Sequence, residues 1–265
     1  MMIHIIHISD THIHSDPTYC GQYGDYPALH GAQVLVERLQ TLPFQPNFIL
    51  HTGDVIVDPI PELYATARDV FAPLSVPIHY LPGNHDHKTA FQRDLLGLPP
   101  DAVRPMYYQE FDYQGVQFVF LDSNGGAEPP RGYVDDDQLA WLEAICTAED
   151  TRPLVVAVHH NILPTGVPWL DDFMGTTNGA DVHAVLRRAA HRLRGVFHGH
   201  IHQDFEIEQD GVRYYGVPSS WCQFRADPDQ IETVKDVDSI AGYNIISISS
   251  SQTIIRRMRY QVNWP

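Results

Sequence analysis

The segment IHIIHISDTH occupies residues 3–12 and introduces a pattern that the rest of the chain repeats. Residues 3–8 are an apolar run that predicts a buried strand, and Asp10 and His12 follow at its end. Residues two apart on a strand or an early turn point the same way, so both side chains can reach one metal ion. An Asp-x-His pair alone is weak evidence for a metal site. Its significance depends on whether the pattern recurs.

Four further clusters of metal-type ligands follow along the chain, nearly all just after an apolar, strand-like run. They are Gly53-Asp54, Gly83-Asn84-His85-Asp86, His159-His160 and Gly199-His200-Ile201-His202. Each one alone is weak evidence, but five unrelated turns would rarely place such ligand types at successive strand ends. Open α/β folds keep their active sites at that edge of the sheet. The set combines nitrogen and oxygen ligands without sulfur, which suits Mn, Fe, Zn, Co or Ni.

The residues within these clusters differ in the roles that their chemistry suggests. The Asp54 carboxylate has two oxygens and could bridge two ions. Asn84 offers a carbonyl oxygen to a metal and an amide to a substrate, and His85 beside it is free for proton or charge transfer. Neighbouring residues on a strand face opposite sides. We therefore expect His159 to be a ligand and His160 to lie behind it.

Apolar periodicity predicts alternating strands and helices in the first third of the chain and mostly hairpins later. Such a rhythm is typical of a largely parallel sheet with crossover helices, and the whole predicts an α/β fold. We expect one domain over residues 1–265, a four-layer α-β-β-α sandwich of two mixed sheets flanked by helices. It would have an irregular active-site loop at 161–180 and a C-terminal hairpin at 243–260. The predicted helices are 30–42, 59–74, 136–148 and 181–191, and the predicted strands are 3–8, 48–51, 78–81, 107–113, 116–121, 154–158, 195–198, 205–208, 212–217, 243–249 and 253–260.

Composition excludes several classes of protein. The net charge of −16 argues against a nucleic-acid polymer or an anionic membrane as partner. The three cysteines are far apart and odd in number, which argues against a disulfide framework and suits a reducing compartment. We found no signal peptide and no run of about 18 apolar residues, so we expect a cytoplasmic protein.

The clusters resemble those of the calcineurin-like metallophosphoesterase family. Further stretches are similar to its class III cyclic-nucleotide phosphodiesterase branch, with bacterial cyclic AMP phosphodiesterases as the nearest likeness. These stretches include Pro164-Thr165-Gly166, Trp169-Leu170-Asp171 and Pro218-Ser219-Ser220. The chain departs from the family at Asn161-Ile162, where relatives have two prolines, and at His87, which is often acidic in relatives.

The resemblance implies a set of roles. The first metal would be held by Asp10, His12 and His202, the second by Asn84, His159 and His200, with Asp54 as the bridge. His85 would assist the transferring phosphoryl group. Substrate contacts are expected from Asn84, His160 and Trp169, although Trp169 either packs on a nucleobase or anchors the 161–180 loop. The cofactors would be two divalent or trivalent transition-metal ions, manganese or iron first and zinc, cobalt or nickel as alternatives.

The implied reaction is hydrolysis of a small anionic phosphodiester, with 3′,5′-cyclic AMP to AMP first, by attack of a hydroxide shared by the two ions. The alternatives are a glycerophosphodiester, a 2′,3′-cyclic nucleotide, a nucleotide-sugar lipid or a phosphomonoester as substrate. A lipid-handling relative should show basic residues in its cap, and residues 161–180 contain no Lys or Arg. A non-catalytic binding protein commonly loses a ligand, whereas all eight positions are intact here. A homodimer is left open.

Overall fold

Two β-sheets pack against each other in the computed structural model, which describes residues 2–21, 26–238 and 240–264. The strands in chain order are β1 Ile3–Ile8, β2 Phe48–His51, β3 Ile78–Tyr80, β4 Gln109–Tyr113, β5 Val116–Phe120, β6 Leu154–Ala157, β7 Leu193–Phe197, β8 Glu206–Gln209, β9 Val212–Tyr215, β10 Gly242–Ile248 and β11 Thr253–Arg259. The first sheet has the order β11-β10-β1-β2-β3, and the second has the order β4-β5-β6-β7-β9-β8.

Both sheets are mixed, with a parallel centre. In the first, β1, β2 and β3 run parallel, and β10 and β11 join antiparallel. In the second, β5, β6, β7 and β9 run parallel between the antiparallel edge strands β4 and β8. Parallel neighbours end at the same edge of a sheet, which places the loops after β1, β2 and β3 side by side, and likewise those after β6 and β7.

Helices cover the outer faces of both sheets. They are α1 Ala28–Gln40, α2 Leu63–Phe71, α3 Lys88–Ala90 with a π-helical continuation over Phe91–Leu95, α4 Asp136–Thr147, α5 Pro168–Phe173 and α6 Gly179–Leu186. Asp135 caps α4 by accepting a hydrogen bond from the Gln138 amide. Leu142 and Ile145 of the same helix face the core.

Three apolar layers account for the sandwich. The layer between the sheets joins residues such as Ile5 and Phe48 of the first sheet to Phe118 and Val155 of the second. A second layer lies under α1 and α2, and a third lies under α4 and α6. Strands buried on both faces read as continuous apolar runs rather than alternating ones. The predicted α/β sandwich of two mixed sheets flanked by helices is therefore confirmed.

Local boundaries differ from the predictions at several elements, and the helix predicted at 181–191 is α6, Gly179–Leu186. The first helix begins two residues earlier than expected, at Ala28 after Pro27. The second begins at Leu63 rather than at the prolines, because residues 59–62 form turns. The 161–180 stretch contains a short helix, α5, which starts at Pro168. Proline suits the first helical position because it lacks the amide hydrogen that would be unpaired there.

Candidate active site

The loops after β1 and β2 pair with each other directly, and this brings the first two clusters together. The Asp10 amide donates to the Gly53 carbonyl at 2.9 Å, and the His12 amide donates to the Asp54 carbonyl at 3.0 Å. The side chains of Asp10, His12 and Asp54 are almost completely buried. Ion-type ligands buried beside one another need a counter-charge or a metal.

Close backbone approach joins the other clusters to the same centre. A Cβ atom on Gly83 would lie 2.1 Å from Asp54 Oδ1, and one on Gly199 would lie 2.5 Å from Asp10 Oδ2. Both distances are far below contact distance, so only glycine fits. The glycines in these motifs let one ligand-bearing loop pass against the carboxylate of another.

Backbone strain is concentrated at the same residues. Five of the candidate ligands have positive φ angles between 45° and 68°. Non-glycine residues rarely adopt this conformation, which costs about 1–3 kcal/mol each and persists only where the surrounding structure enforces it. The five residues are Asp10, His12, Asp54, His200 and His202.

Asp10, His12 and His202 form the first compact group, with ligand atoms within 4.8 Å of one another. His202 Nδ1 lies 2.7 Å from the Cys222 carbonyl, to which it donates. Its Nε2 is therefore an acceptor, and it lies 3.1 Å from His12 Nε2 and 3.6 Å from Asp10 Oδ1. Two imidazole nitrogens and a carboxylate oxygen gathered this closely fit a cation.

The second group is built on His159. Its Nδ1 donates to the Thr52 carbonyl at 2.7 Å, which directs Nε2 toward the centre. There Nε2 lies 3.1 Å from Asn84 Oδ1 and 3.3 Å from Asp54 Oδ2. His200 Nε2 donates to the Met174 carbonyl at 3.0 Å, which leaves Nδ1 for a metal. A backbone acceptor that fixes the imidazole tautomer is typical of metal-binding histidines.

Asp54 lies between the two groups. Its Oδ2 is 3.7 Å from His12 Nε2 on one side and 3.3 Å from His159 Nε2 on the other. Asp54 also belongs to a compact group with Asp10 and His159. This position fits a carboxylate that bridges two ions, as expected from its two oxygens.

Burial controls the charge of these groups. Burial raises the pKa of Asp10 to about 7, and it lowers the pKa of His202 to about 4. His159 differs from His202, because burial is outweighed by the Asp54 and Asp10 carboxylates together with the Thr52 carbonyl, and the pKa of this imidazole is raised to about 9. In return, His159 holds the pKa of Asp54 well below its usual range, although burial opposes this. Neutral imidazoles and ionised carboxylates are the forms that bind metals.

His85 lies at the rim of the centre and is only half-buried. Its amide donates to Asp54 Oδ1 at 2.8 Å, and its Nδ1 donates to the Val57 carbonyl at 2.5 Å. These two bonds fix the ring and leave Nε2 for a substrate in the adjoining cavity. Its ring centroid is 4.9 Å from that of His12.

His160 lies closer to the ligand groups than expected from the rule that neighbouring strand residues face opposite sides. It forms a compact group with His159 and His200, and its ring centroid is 4.3 Å from that of His200. The reason is that β6 ends at Ala157, so the opposite-face rule no longer applies at residues 159 and 160. His160 Nδ1 is 2.7 Å from Ser123 Oγ.

Asp86 is a functional candidate to which the sequence interpretation gave no role. Its buried carboxylate accepts hydrogen bonds from the Gly83 and Val55 amides and from the Tyr64 hydroxyl, at 2.9, 3.2 and 3.0 Å. It therefore ties the Asn84 loop to the Asp54 loop. Its position at the end of the Gly83-Asn84-His85-Asp86 motif is the sequence feature that could have identified it.

A cavity of about 840 Å³ opens above the ligand groups. His12, Asp54, Asn84, His85, His200 and His202 line its floor, and several aromatic side chains line its walls. Trp169 lies in one wall and is buried, and its Nε1 donates to the Arg225 carbonyl at 3.2 Å. Within the described ranges, no helix is both long and apolar enough to cross a bilayer.

Known proteins are similar to this chain in sequence and in fold. Residues 3–204 match the model of the calcineurin-like phosphoesterase family. The chain is 31% identical over 221 residues to the 3′,5′-cyclic adenosine monophosphate phosphodiesterase CpdA of Pseudomonas aeruginosa, covering 83% of this chain and 77% of that protein. It is 32% identical over 201 residues to the glycerophosphodiester phosphodiesterase GpdQ of Enterobacter lignolyticus, covering 75% and 70%.

Solved structures agree with the fold. A dimetal phosphatase from Danio rerio superposes with a TM-score of 0.69 at 15% identity, covering 99% of each chain. A purple acid phosphatase from yellow lupin superposes with a TM-score of 0.72 at 12% identity, covering 98% of this chain and 52% of that one. At such low identity, these two likenesses establish the fold alone.

Proposed function

Because the chain belongs to the calcineurin-like phosphoesterase family, whose members are metal-dependent phosphoester hydrolases, we propose that it hydrolyses a phosphodiester at a two-metal centre. The proposed reaction is the conversion of 3′,5′-cyclic AMP to AMP. The proposed cofactors are two manganese or iron ions. The proposed location is the cytoplasm, in keeping with three free cysteines in the described part of the chain.

The observation that carries the proposal is the position of Asp54. One of its oxygens lies within 3.7 Å of a histidine from each of two separate ligand groups. Asp10, His12 and His202 would hold one ion, and Asn84, His159 and His200 would hold the other. Two ions held there would supply an activated water and neutralise the phosphate's charge.

The chain's own groups would then orient the substrate and move a proton. The His85 ring is fixed through Nδ1, so a protonated His85 presents its Nε2 hydrogen to the cavity floor. From there it can donate to the leaving oxygen or to the phosphate. The Asn84 side chain can donate its amide to a phosphate oxygen while its carbonyl faces the metal group.

Charge around the cavity favours a diester over a monoester. A phosphodiester carries one negative charge, whereas a phosphomonoester carries about two near neutral pH. Among the described residues that line the cavity, none is Lys or Arg, and Asp58 adds a carboxylate. The two ions suffice for a monoanion, but a dianion is usually bound by additional basic side chains.

A substrate panel tests the reaction class. The protein, reconstituted with manganese or iron, is assayed with 3′,5′-cyclic AMP, 3′,5′-cyclic GMP, 2′,3′-cyclic AMP, glycerophosphocholine, bis(p-nitrophenyl) phosphate and p-nitrophenyl phosphate, with product identification. We expect diesters to be cleaved much faster than monoesters and cyclic AMP to give AMP. Faster cleavage of the monoester at saturating metal would overturn the diesterase assignment. Inert cyclic AMP with active diesters would overturn the nucleotide assignment alone.

The second candidate is a glycerophosphodiesterase. It is favoured by the likeness to the glycerophosphodiester phosphodiesterase of Enterobacter lignolyticus, which is as similar in sequence as the cyclic AMP enzyme. The same panel separates the two, because this candidate requires glycerophosphocholine to be cleaved faster than cyclic AMP.

A further inference from the structure

The cavity above the ligand groups is much larger than a phosphate requires. Its volume of about 840 Å³ lies within the range of about 300–1,000 Å³ that holds whole small molecules. The ligand residues occupy only its floor. The walls must therefore contact the organic group of the substrate, and their chemistry determines which group is accepted.

Helix α5 supplies one wall through two aromatic residues. Trp169 and Phe173 are four residues apart, so they lie on the same face of the helix, one turn apart, and both line the cavity. Trp169 is 5% exposed, whereas Phe173 is 57% exposed. The wall thus has a buried inner ring and an open outer ring.

Trp169 is held in place by its neighbours. Its backbone amide donates to the Gln230 carbonyl at 3.1 Å, and its indole Nε1 donates to the Arg225 carbonyl at 3.2 Å. Its ring packs edge-on against Phe224 with centroids 5.7 Å apart. Because its only side-chain donor is satisfied inside the protein, Trp169 offers the cavity an apolar surface without a hydrogen bond.

A hydrogen bond joins the aromatic wall to the ligand groups. Met174 follows Phe173, and its carbonyl accepts the hydrogen bond from His200 Nε2 at 3.0 Å. Consecutive Cα atoms are about 3.8 Å apart. Phe173, Met174 and His200 also line the same cavity, so Phe173 can contact the organic group of a molecule whose phosphate lies at the ligand groups.

We propose that Phe173, supported by Trp169, binds the planar, uncharged ring of the diester's organic group, such as a nucleobase. An exposed phenylalanine ring attracts a second flat ring by stacking or edge contact. The absence of Lys and Arg among the described lining residues disfavours an anionic group here. This subsite rests on the proposed function for its phosphate end only, and it predicts a preference for nucleoside or aryl diesters over glycerol diesters.

Adenosine binding to the metal-free protein tests the subsite without any catalysis. Adenosine has the ring but no phosphate, and ribose has neither. In saturation-transfer NMR titrations we expect adenosine, but not ribose, to bind the wild-type chain. Phe173→Ala should weaken adenosine binding by about 2- to 10-fold, the usual contribution of an aromatic pair, and Phe173→Tyr should restore it.

Ile231→Ala is the matched control. Ile231 is an exposed apolar residue, 76% exposed, in a shallow depression shared with Phe173 but outside the main cavity. This variant should bind adenosine like the wild type. Absent adenosine binding, or equal losses in Phe173→Ala and Ile231→Ala, would overturn the proposal.

Kinetics separate failure of the subsite from failure of the proposed function. With cyclic AMP, Phe173→Ala should raise KM by about 2- to 10-fold and leave kcat unchanged, while KM for glycerophosphoglycerol, which has neither a ring nor a cationic group, stays constant. If KM rises equally for both substrates, the subsite proposal is wrong, although the diesterase assignment stands. If no diester is cleaved but adenosine still binds through Phe173, the diesterase assignment is wrong and the ring subsite stands.

Discussion

Asp54 Oδ2 lies 3.3 Å from His159 Nε2, and the two groups shift each other's ionisation in opposite directions. The carboxylate comes from the loop after β2 in the first sheet, and the imidazole comes from the end of β6 in the second. This pair is thus a direct polar link between the two sheets, and the proposed centre forms around it. The first three predictions concern Asp54 itself and two residues of the loop beside it, His85 and Gly83.

Replacing Asp54 should remove metal as well as activity. Asp54→Ala deletes a carboxylate whose Oδ2 lies within 3.7 Å of a histidine from each ligand group, so we expect fewer than two ions per chain after reconstitution and the largest activity loss of any single ligand change. Metal analysis by mass spectrometry measures this. Asp69→Ala, at an exposed position on α2, is the control and should retain both ions. Full metal content in Asp54→Ala would refute the bridging role.

Replacing His85 should remove activity but spare the metals. His85→Ala deletes an imidazole that faces the cavity but is not among the proposed ligands, so we expect kcat to fall by about 10²–10⁴, the usual contribution of a general acid. The metal content and thermal midpoint of the variant are measured beside the wild type. Loss of an ion would show instead that His85 is a ligand or a structural support.

Adding a single methyl group at Gly83 should damage the centre by steric clash. The new Cβ would lie 2.1 Å from Asp54 Oδ1, so we expect Gly83→Ala to displace the carboxylate and lower both metal content and kcat. Gly126→Ala is the matched control, because nothing lies within 4 Å of its added Cβ. Equal activity in the two variants would mean that the loops do not approach as closely as described.

Stability of the metal-free protein should fall in acid because of buried histidines. Burial lowers the pKa of His51 to about 3, below an unfolded value of about 6.5. The unfolded chain binds the extra proton between these values, so stability is full above about pH 6.5 and is lost as pH falls toward 3. This single group should cost about 2 kcal/mol between pH 7 and pH 5.

Urea unfolding at pH 7 and pH 5 measures the effect. His51→Gln should reduce the difference between the two pH values, since glutamine can still bond to Thr11 Oγ1, which lies 3.0 Å from His51 Nε2, but does not titrate. His191→Gln, at an exposed position, should leave the difference unchanged. Identical pH dependence in all three proteins would exclude His51 as a source of acid instability.

Much of the fold could be predicted because its signals are local. The buried run over 3–8 and the Asp-Gly hairpin between β8 and β9 each depend on a few neighbouring residues. The boundary of α2 was less predictable. Pro59 and Pro61 suggested a helix start, but residues 59–62 form turns and the helix begins at Leu63.

The sequence by itself determined the order of the ligand clusters and their places at strand ends, since both follow from residue type and local apolar pattern. Only the tertiary structure decided which residues meet. His202 and Cys222, His200 and Met174, and Asp86 and Val55 contact each other across 20, 26 and 31 residues. Such contacts depend on how two sheets pack rather than on any nearby sequence. The same packing keeps Trp169 in the cavity wall and leaves Phe173 open to a ligand, a difference that two aromatic residues on one short helix do not show in their sequence.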